Sequence, residues 1–302
     1  MRISQTRLKK FWQNPEAYRL QYVLNLVPSS PGYALQRGSV FHAVLNLKAR
    51  GETDEHIANV LRGTVPDYDG RMLVIQSEDA LRNGVAMAEA YINLPWAANL
   101  QVVETEKDFN FQIPGSPHFI SGRIDQIVTN GDSVYILEFK TASSKQYRGA
   151  KEADWANDIQ ADFEFLGAES LGIEVDGLQA QYVIEAKPPK VWEPIFVSRT
   201  KAQLERTKLF AHQTCETILM YENTFGPDQP WPHLNNWPCN GDKKWCDYRD
   251  ICQCSGEELI QLTSGPEWAE RKPSPFEEEE NLKRRKLEMD HKFEYRWTKD
   301  GV

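Results

Sequence analysis

Three consecutive segments decide the fold: Phe119-Ile120-Ser121-Gly122-Arg123-Ile124-Asp125-Gln126-Ile127-Val128-Thr129, then Asn130-Gly131-Asp132-Ser133, then Val134-Tyr135-Ile136-Leu137-Glu138-Phe139-Lys140-Thr141. Both flanks are rich in β-branched and aromatic residues, and Asn-Gly between such runs is a strong hairpin signal. Residues 119–129 and 133–140 are therefore expected as antiparallel neighbours. With a two-residue loop at Asn130-Gly131, Thr129 faces Asp132 and Asp125 lies diagonal to Glu138. With a four-residue loop, Asp125 faces Glu138 directly. Alternation along the strands sends Asp125, Glu138 and Lys140 to one side of the sheet in either register, with backbone positions about 5 to 8 Å apart. A charge buried without a partner is costly, so these groups invite two readings. The two carboxylates share a hard divalent cation with the lysine alongside, or Lys140 neutralises Glu138 as a structural ion pair at the sheet rim.

Helical spacing dominates the first hundred residues, over Arg7 to Leu26, Gln36 to Arg50, Thr53 to Arg62 and Ile75 to Asn93. On the second of these, His42 lies off the apolar arc of Val40, Phe41, Val44, Leu45 and Leu47, as a solvated histidine or a ligand would. Gln101 to Ile113 reads as the first strand, ending at Pro114-Gly115-Ser116-Pro117. A helix with the stripe Trp155, Ile159, Phe163 and Leu166 follows the hairpin, with Gln160 beside that stripe. Strands near Gly177 to Ala186 and Trp192 to Ser198 come next, then a long helix from Thr200 to about Asn223. This order predicts an α/β protein with a central mixed β-sheet flanked by helices.

The ordered set resembles a known family. Gly122-Arg123-Ile124-Asp125 with Glu138-Phe139-Lys140-Thr141 is similar to the G-x-x-D and (D/E)-x-K-T core of the PD-(D/E)xK nuclease superfamily, in its RecB-type exonuclease branch. Gly38-Ser39-Val40-Phe41-His42-Ala43-Val44-Leu45 resembles that branch's G-x-x-x-H-x-x-L helix. Gln160 stands where its glutamine motif is expected, although Glu164 occupies the place of the tyrosine four residues on. Ile3-Ser4-Gln5-Thr6-Arg7-Leu8, with Asn14-Pro15 and Tyr18, resembles the branch's opening, and the likeness spans about residues 1 to 255.

The resemblance implies a restriction-endonuclease-like core and a magnesium- or manganese-dependent deoxyribonuclease, an exonuclease of DNA recombination, repair or phage DNA processing. It implies metal ligation by His42, Asp125, Glu138 and the backbone carbonyl of Phe139, with Lys140 and Gln160 completing the catalytic set. DNA is the implied partner, alongside an annealing protein or helicase and a homo-oligomeric assembly. One alternative is a catalytically silent DNA-binding or assembly module on the same scaffold. Another is an iron-sulfur nuclease of CRISPR-adaptation type. The expected division is a helical part over 1–98 that contributes His42, a nuclease core with a cysteine-containing segment over 99–256, and a charged helical appendage over 257–302.

Composition agrees without pointing anywhere. The chain has 302 residues, 40% of them hydrophobic, and a net charge of −9. It can bury one sizeable core, and its charge argues against a general polyanion binder, though a local basic track would suffice for DNA. No apolar run is long enough for a bilayer, and no signal peptide is evident, so a cytoplasmic protein is expected. Cys215 falls on an apolar helical stripe with Leu204, Ala211, Ile218 and Leu219. Cys239, Cys246, Cys252 and Cys254 cluster, which suggests zinc or iron-sulfur binding or reduced thiols. In the resembled iron-sulfur nucleases one early cysteine precedes a proline; here Asn14 precedes Pro15, and a metal-free remnant is the favoured reading. Ser274-Pro275-Phe276-Glu277 is a capping box that predicts a helix in the appendage, and Lys283-Arg284-Arg285-Lys286 reads as an exposed face or a nucleic-acid contact.

Overall fold

A computed structural model describes residues 1–66, 72–144, 147–233, 246–252 and 254–271. Cys239, the helix expected from Ser274 and the run Lys283-Arg284-Arg285-Lys286 lie outside the described residues. The chain opens with a short strand β1 (Arg2–Ile3) and helix α1 (Gln5–Gln13), capped by the Ser4 hydroxyl. Helix was expected without a break to Leu26, but Asn14 takes an extended backbone and caps a new helix, α2 (Pro15–Tyr18), which runs into a π-helical turn Arg19–Val23. The cause is local: Pro15 lacks the N–H that would continue α1, whereas at the first position of α2 none is needed. Strand β2 (Leu26–Pro28) and helices α3 (Tyr33–Ala49) and α4 (Asp54–Leu61) follow. A small hairpin, β3 (Thr64–Pro66) and β4 (Met72–Val74), then leads to α5 (Glu78–Ile92).

The sheet is built from β5 (Gln101–Gln112), β6 (Phe119–Thr129), β7 (Val134–Ser143), β8 (Gly177–Glu185), β9 (Lys190–Val191) and β10 (Ile195–Val197), joined by β1. Its path runs β1-β6-β7-β8-β10, with β5 also on β6 and β9 also on β8. β1–β6 and β7–β8 are parallel, and the other pairings in this sheet are antiparallel, so the sheet is mixed as expected. Between β7 and β8 lie α6 (Arg148–Asn157) and α7 (Ile159–Ser170). They were expected as one helix. Asp158 divides them because its carboxylate accepts the Gln160 N–H at 2.8 Å, capping α7 afresh. The long α8 (Lys201–Phe225), opened by a Thr200/Gln203 capping box, completes the body.

Each sheet face buries its own core. One contains Ile120, Ile124, Ile136, Leu178 and Ala180 with Phe163 and Leu166 of α7 and Ala211, Cys215 and Ile218 of α8. The other packs Val128, Leu137, Phe139 and Val183 against Val40, Phe41 and Val44 of α3 and Met87 and Ala88 of α5. Gly84 permits the close approach of α5 to α3, because a Cβ there would lie 2.7 Å from Val40 Cγ1. A third cluster gathers Ala17 and Leu20 with Tyr248, Ile251 and Leu259. Residues past Glu257 return to this region: helix α9 (Gly256–Thr263) is followed by β11 (Trp268–Glu270), which pairs with β2. No helix among the described residues is long and apolar enough to cross a membrane.

Candidate active site at the fork between two strands

The hairpin loop has four residues. Thr129 pairs with Val134, and the Asn130 side chain accepts from the Asp132 and Ser133 amides at 3.1 and 2.9 Å, with Gly131 at φ +97. That register aligns Asp125 with Glu138, the second of the two arrangements the sequence allowed. The ladder itself stops short of them. β6 and β7 pair only from Gln126↔Leu137 to Thr129↔Val134, while β7 continues beside β8 as far as Ser143. Past Leu137 the two strands therefore fork. Within the fork the Phe139 N–H donates to Asp125 Oδ2 at 2.9 Å, so a side chain takes the amide a continuing ladder would have used. Ile124 and Ile127, three residues apart, both join the same core, so the alternation of β6 is interrupted around Asp125.

Helix α3 brings His42 to the fork, with Nδ1 3.5 Å from Asp125 Oδ2. The ring also stands edge-on to that of Phe139, with centroids 6.4 Å apart. From α7, Gln160 Nε2 donates to Glu138 Oε1 at 2.6 Å and to Glu164 Oε1 at 2.9 Å. Lys140 Nζ forms an ion pair with the same Glu138 oxygen and lies 6.0 Å from the centre of the Trp155 ring. His42, Asp125, Glu138, Phe139, Lys140 and Gln160 are thus gathered in one place.

Two acids in this place escaped the sequence reading. Glu106 of β5, at φ +50, offers a carboxylate oxygen that, with a ligand atom from each of His42 and Asp125, forms a group within 4.8 Å. Its signal was hidden because Glu104, Glu106 and Asp108 alternate like the solvated face of a strand. Glu164 had been noted only as the residue in the expected tyrosine's place. It is buried, and its Oε2 has no hydrogen-bond partner among the described residues.

These acids cannot all ionise together. Burial pushes Asp125 well above the ordinary carboxylate range, and the charges of Glu138 and Glu106 push it further. Burial and the charges of Glu138 and Asp125 do the same to Glu164. Glu106 is raised by burial against the opposing pull of Arg123. Burial also works to raise Glu138, but Lys140, His42 and the hydrogen bond with Asp125 together outweigh it and hold the carboxyl below its usual value. Lys140 is raised: burial opposes its charge, and Glu138 and Asp125 more than compensate. Burial and Lys140 bring His42 down to about 4, leaving a neutral imidazole with a lone pair at neutral pH.

The family model of the PD-(D/E)XK nuclease superfamily matches residues 2–253. The chain belongs to this superfamily. The crystal structure of a protein from Eubacterium rectale described as "Putative exonuclease" is similar in fold, with a TM-score of 0.54 and 14% identity over 87% of this chain and 92% of that one. A second structure, SSO0001, is 16% identical over 83% of this chain and 96% of its own, with a TM-score of 0.33. No curated protein matches the chain.

The cysteine segment lies elsewhere. Cys252 and Cys254 are buried, and Cys252 Sγ is 3.6 Å from His233 Nε2. Among the described residues these cysteines do not form a three-ligand group with atoms within 4.8 Å of one another. Cys215 is fully buried in the first core, as its helical stripe suggested.

Proposed function

We propose that this superfamily member is a magnesium- or manganese-dependent deoxyribonuclease that digests DNA from its ends, with the fork between β6 and β7 as its active centre. The observation that carries this reading is the convergence of His42 Nδ1 and the Phe139 N–H on Asp125 Oδ2, beside a Glu138 held by Lys140 and Gln160. The donor set suits a hard or borderline divalent ion: carboxylates that repel one another, a neutral imidazole and the unpartnered Glu164 oxygen all gain from a cation. His42, Asp125, Glu138 and the Phe139 carbonyl would hold it. Such an ion, when bound, supplies polarisation of the phosphate and a water of lowered pKa. The chain's own groups do the rest. Phe139 fixes Asp125, so that carboxylate is oriented before any substrate arrives. Gln160 and Lys140 hold Glu138 in one rotamer, and the ammonium also offsets negative charge developing on the phosphate.

The test is labelled linear and circular DNA, each single- or double-stranded, incubated with magnesium, with manganese and with chelator. Metal-dependent loss of linear DNA with circles intact is expected, together with loss of cutting in Asp125→Ala and Lys140→Ala. Nicked circles would replace the exonuclease reading with an endonuclease. Cutting that survives both substitutions would reject the fork as the active centre. Tight DNA binding without cutting would favour the silent module.

A further inference from the structure

A second cluster of metal-ligand side chains lies at the other end of β6. His118 directly precedes that strand, roughly 20 Å along it from Asp125 at about 3.3 Å per residue. His212 and Glu216 stand four apart on α8, and therefore on one face of it. Each of the three brings a ligand atom within 4.8 Å of the others. We propose that His118, His212 and Glu216 bind a zinc ion that staples α8 to the β1–β6 end of the sheet, a site independent of the nuclease assignment.

Several features set this cluster apart from an ordinary hydrogen-bonded histidine. His118 is buried, with only 2% of its surface exposed, and its Nε2 lies 2.6 Å from Oε1 of the exposed Glu216. Its Nδ1 is 3.4 Å from the Met1 nitrogen. On His212 the Nδ1 is 2.8 Å from the Ser116 hydroxyl, whose oxygen also accepts the backbone N–H of His118 at 3.2 Å. The Ser116 hydroxyl holds the His212 ring by its Nδ1 and leaves Nε2 for a metal, whereas His118 presents Nε2 to Glu216 and would release that proton to an ion. An outer hydrogen bond such as that of His212 to Ser116 orients imidazoles at metal centres. The rings lie 5.5 Å apart at 30°. Burial lowers His118 below its ordinary pKa despite the hydrogen bond to Glu216. Two imidazoles and one carboxylate favour zinc over magnesium or calcium. Zinc ligands at about 2.0 to 2.1 Å in a tetrahedron stand about 3.3 Å apart, so Glu216, on the solvent side, need only draw back slightly from His118. The fourth position is left to water.

The test uses tag-free full-length protein, stripped with chelator, returned to excess magnesium and then loaded with zinc or cobalt. The wild type should keep about one more equivalent of zinc through gel filtration than either His212→Ala or Glu216→Gln. It should also lose melting temperature on chelation in a way neither variant does. Both variants should retain magnesium-dependent DNA cutting if the wild type shows it. Bound cobalt should give a visible ligand-field spectrum without the near-ultraviolet thiolate band that ligation by Cys246, Cys252 or Cys254 would add. Equal zinc content and equal melting behaviour in wild type and variants would overturn the proposal. So would a thiolate-type cobalt spectrum that the two substitutions leave unchanged.

Discussion

The molecule contains two recessed acid–base pairs made from similar residues and surrounded very differently. Glu16 and Arg19 are both 0% exposed, and the guanidinium grips both carboxylate oxygens, at 2.6 and 2.8 Å. The remaining capacity is used as well: Glu16 accepts the Trp231 N–H at 2.6 Å, and Arg19 donates to the Pro227 carbonyl at 2.5 Å. This pair is closed, and it ties α2 to the segment after α8. At Glu138 and Lys140 the acid is 4% exposed and the lysine 35%, and three further carboxyls stand within electrostatic reach. The first arrangement has each charge matched within the pair, whereas the second sets one ammonium among four carboxyls. A charged pair becomes a chemical site through the groups around it that remain in conflict.

Disrupting the closed pair should produce the largest change in stability. Glu16→Ala leaves Arg19 buried without its counterion and should cost about 3–5 kcal/mol in denaturant unfolding, with the specific activity of the folded fraction unchanged. The open pair should behave in the opposite way. Lys140→Ala should reduce DNA cleavage about 100- to 1000-fold, measured by single-turnover digestion, while the folded population remains close to that of the wild type.

Metal addition sharpens the contrast. Magnesium or manganese at about 100 times its dissociation constant should stabilise the protein by about 2.7 kcal/mol, and Asp125→Asn should remove most of that gain in thermal unfolding. In chelator the same residue sets a pH dependence. Its folded pKa is raised, so its contribution to stability is fully present below about 3.8, its ordinary value, and is lost as pH rises through the folded value. His42 runs the other way: its contribution is present above 6.5 and lost as pH falls through about 4. Melting temperature against pH should change shape separately in Asp125→Asn and His42→Gln. The smallest effect concerns the wall beside the fork. A Cβ at Gly122 would sit 2.5 Å from the Phe109 ring, so Gly122→Ala should cost about 1–3 kcal/mol by displacing that ring.

Much of the fold follows from local patterns. Apolar runs rich in β-branched and aromatic residues around Asn130-Gly131 predict β6 and β7, and helical spacing anticipates α4, α5 and α8 to within a few residues. Two breaks did not show, at Asn14 and Asp158, because an apolar stripe can run on across a cap and hide it. The residues gathered at the fork were nameable because each sits in a short motif of its own. Glu106 was not, because its part depends on a backbone distortion and on a neighbour nearly twenty residues away.

The sequence by itself determined which elements form and the order in which they follow, since backbone preference and apolar periodicity act over a few residues at a time. It also placed Glu138 and Lys140 on one strand. Only the tertiary structure decided where β6 and β7 part, which acids enter the gap and which carboxylate keeps its proton. Those outcomes depend on distances between groups remote in the chain and on how much water the assembled core excludes, and neither quantity exists before the chain has folded.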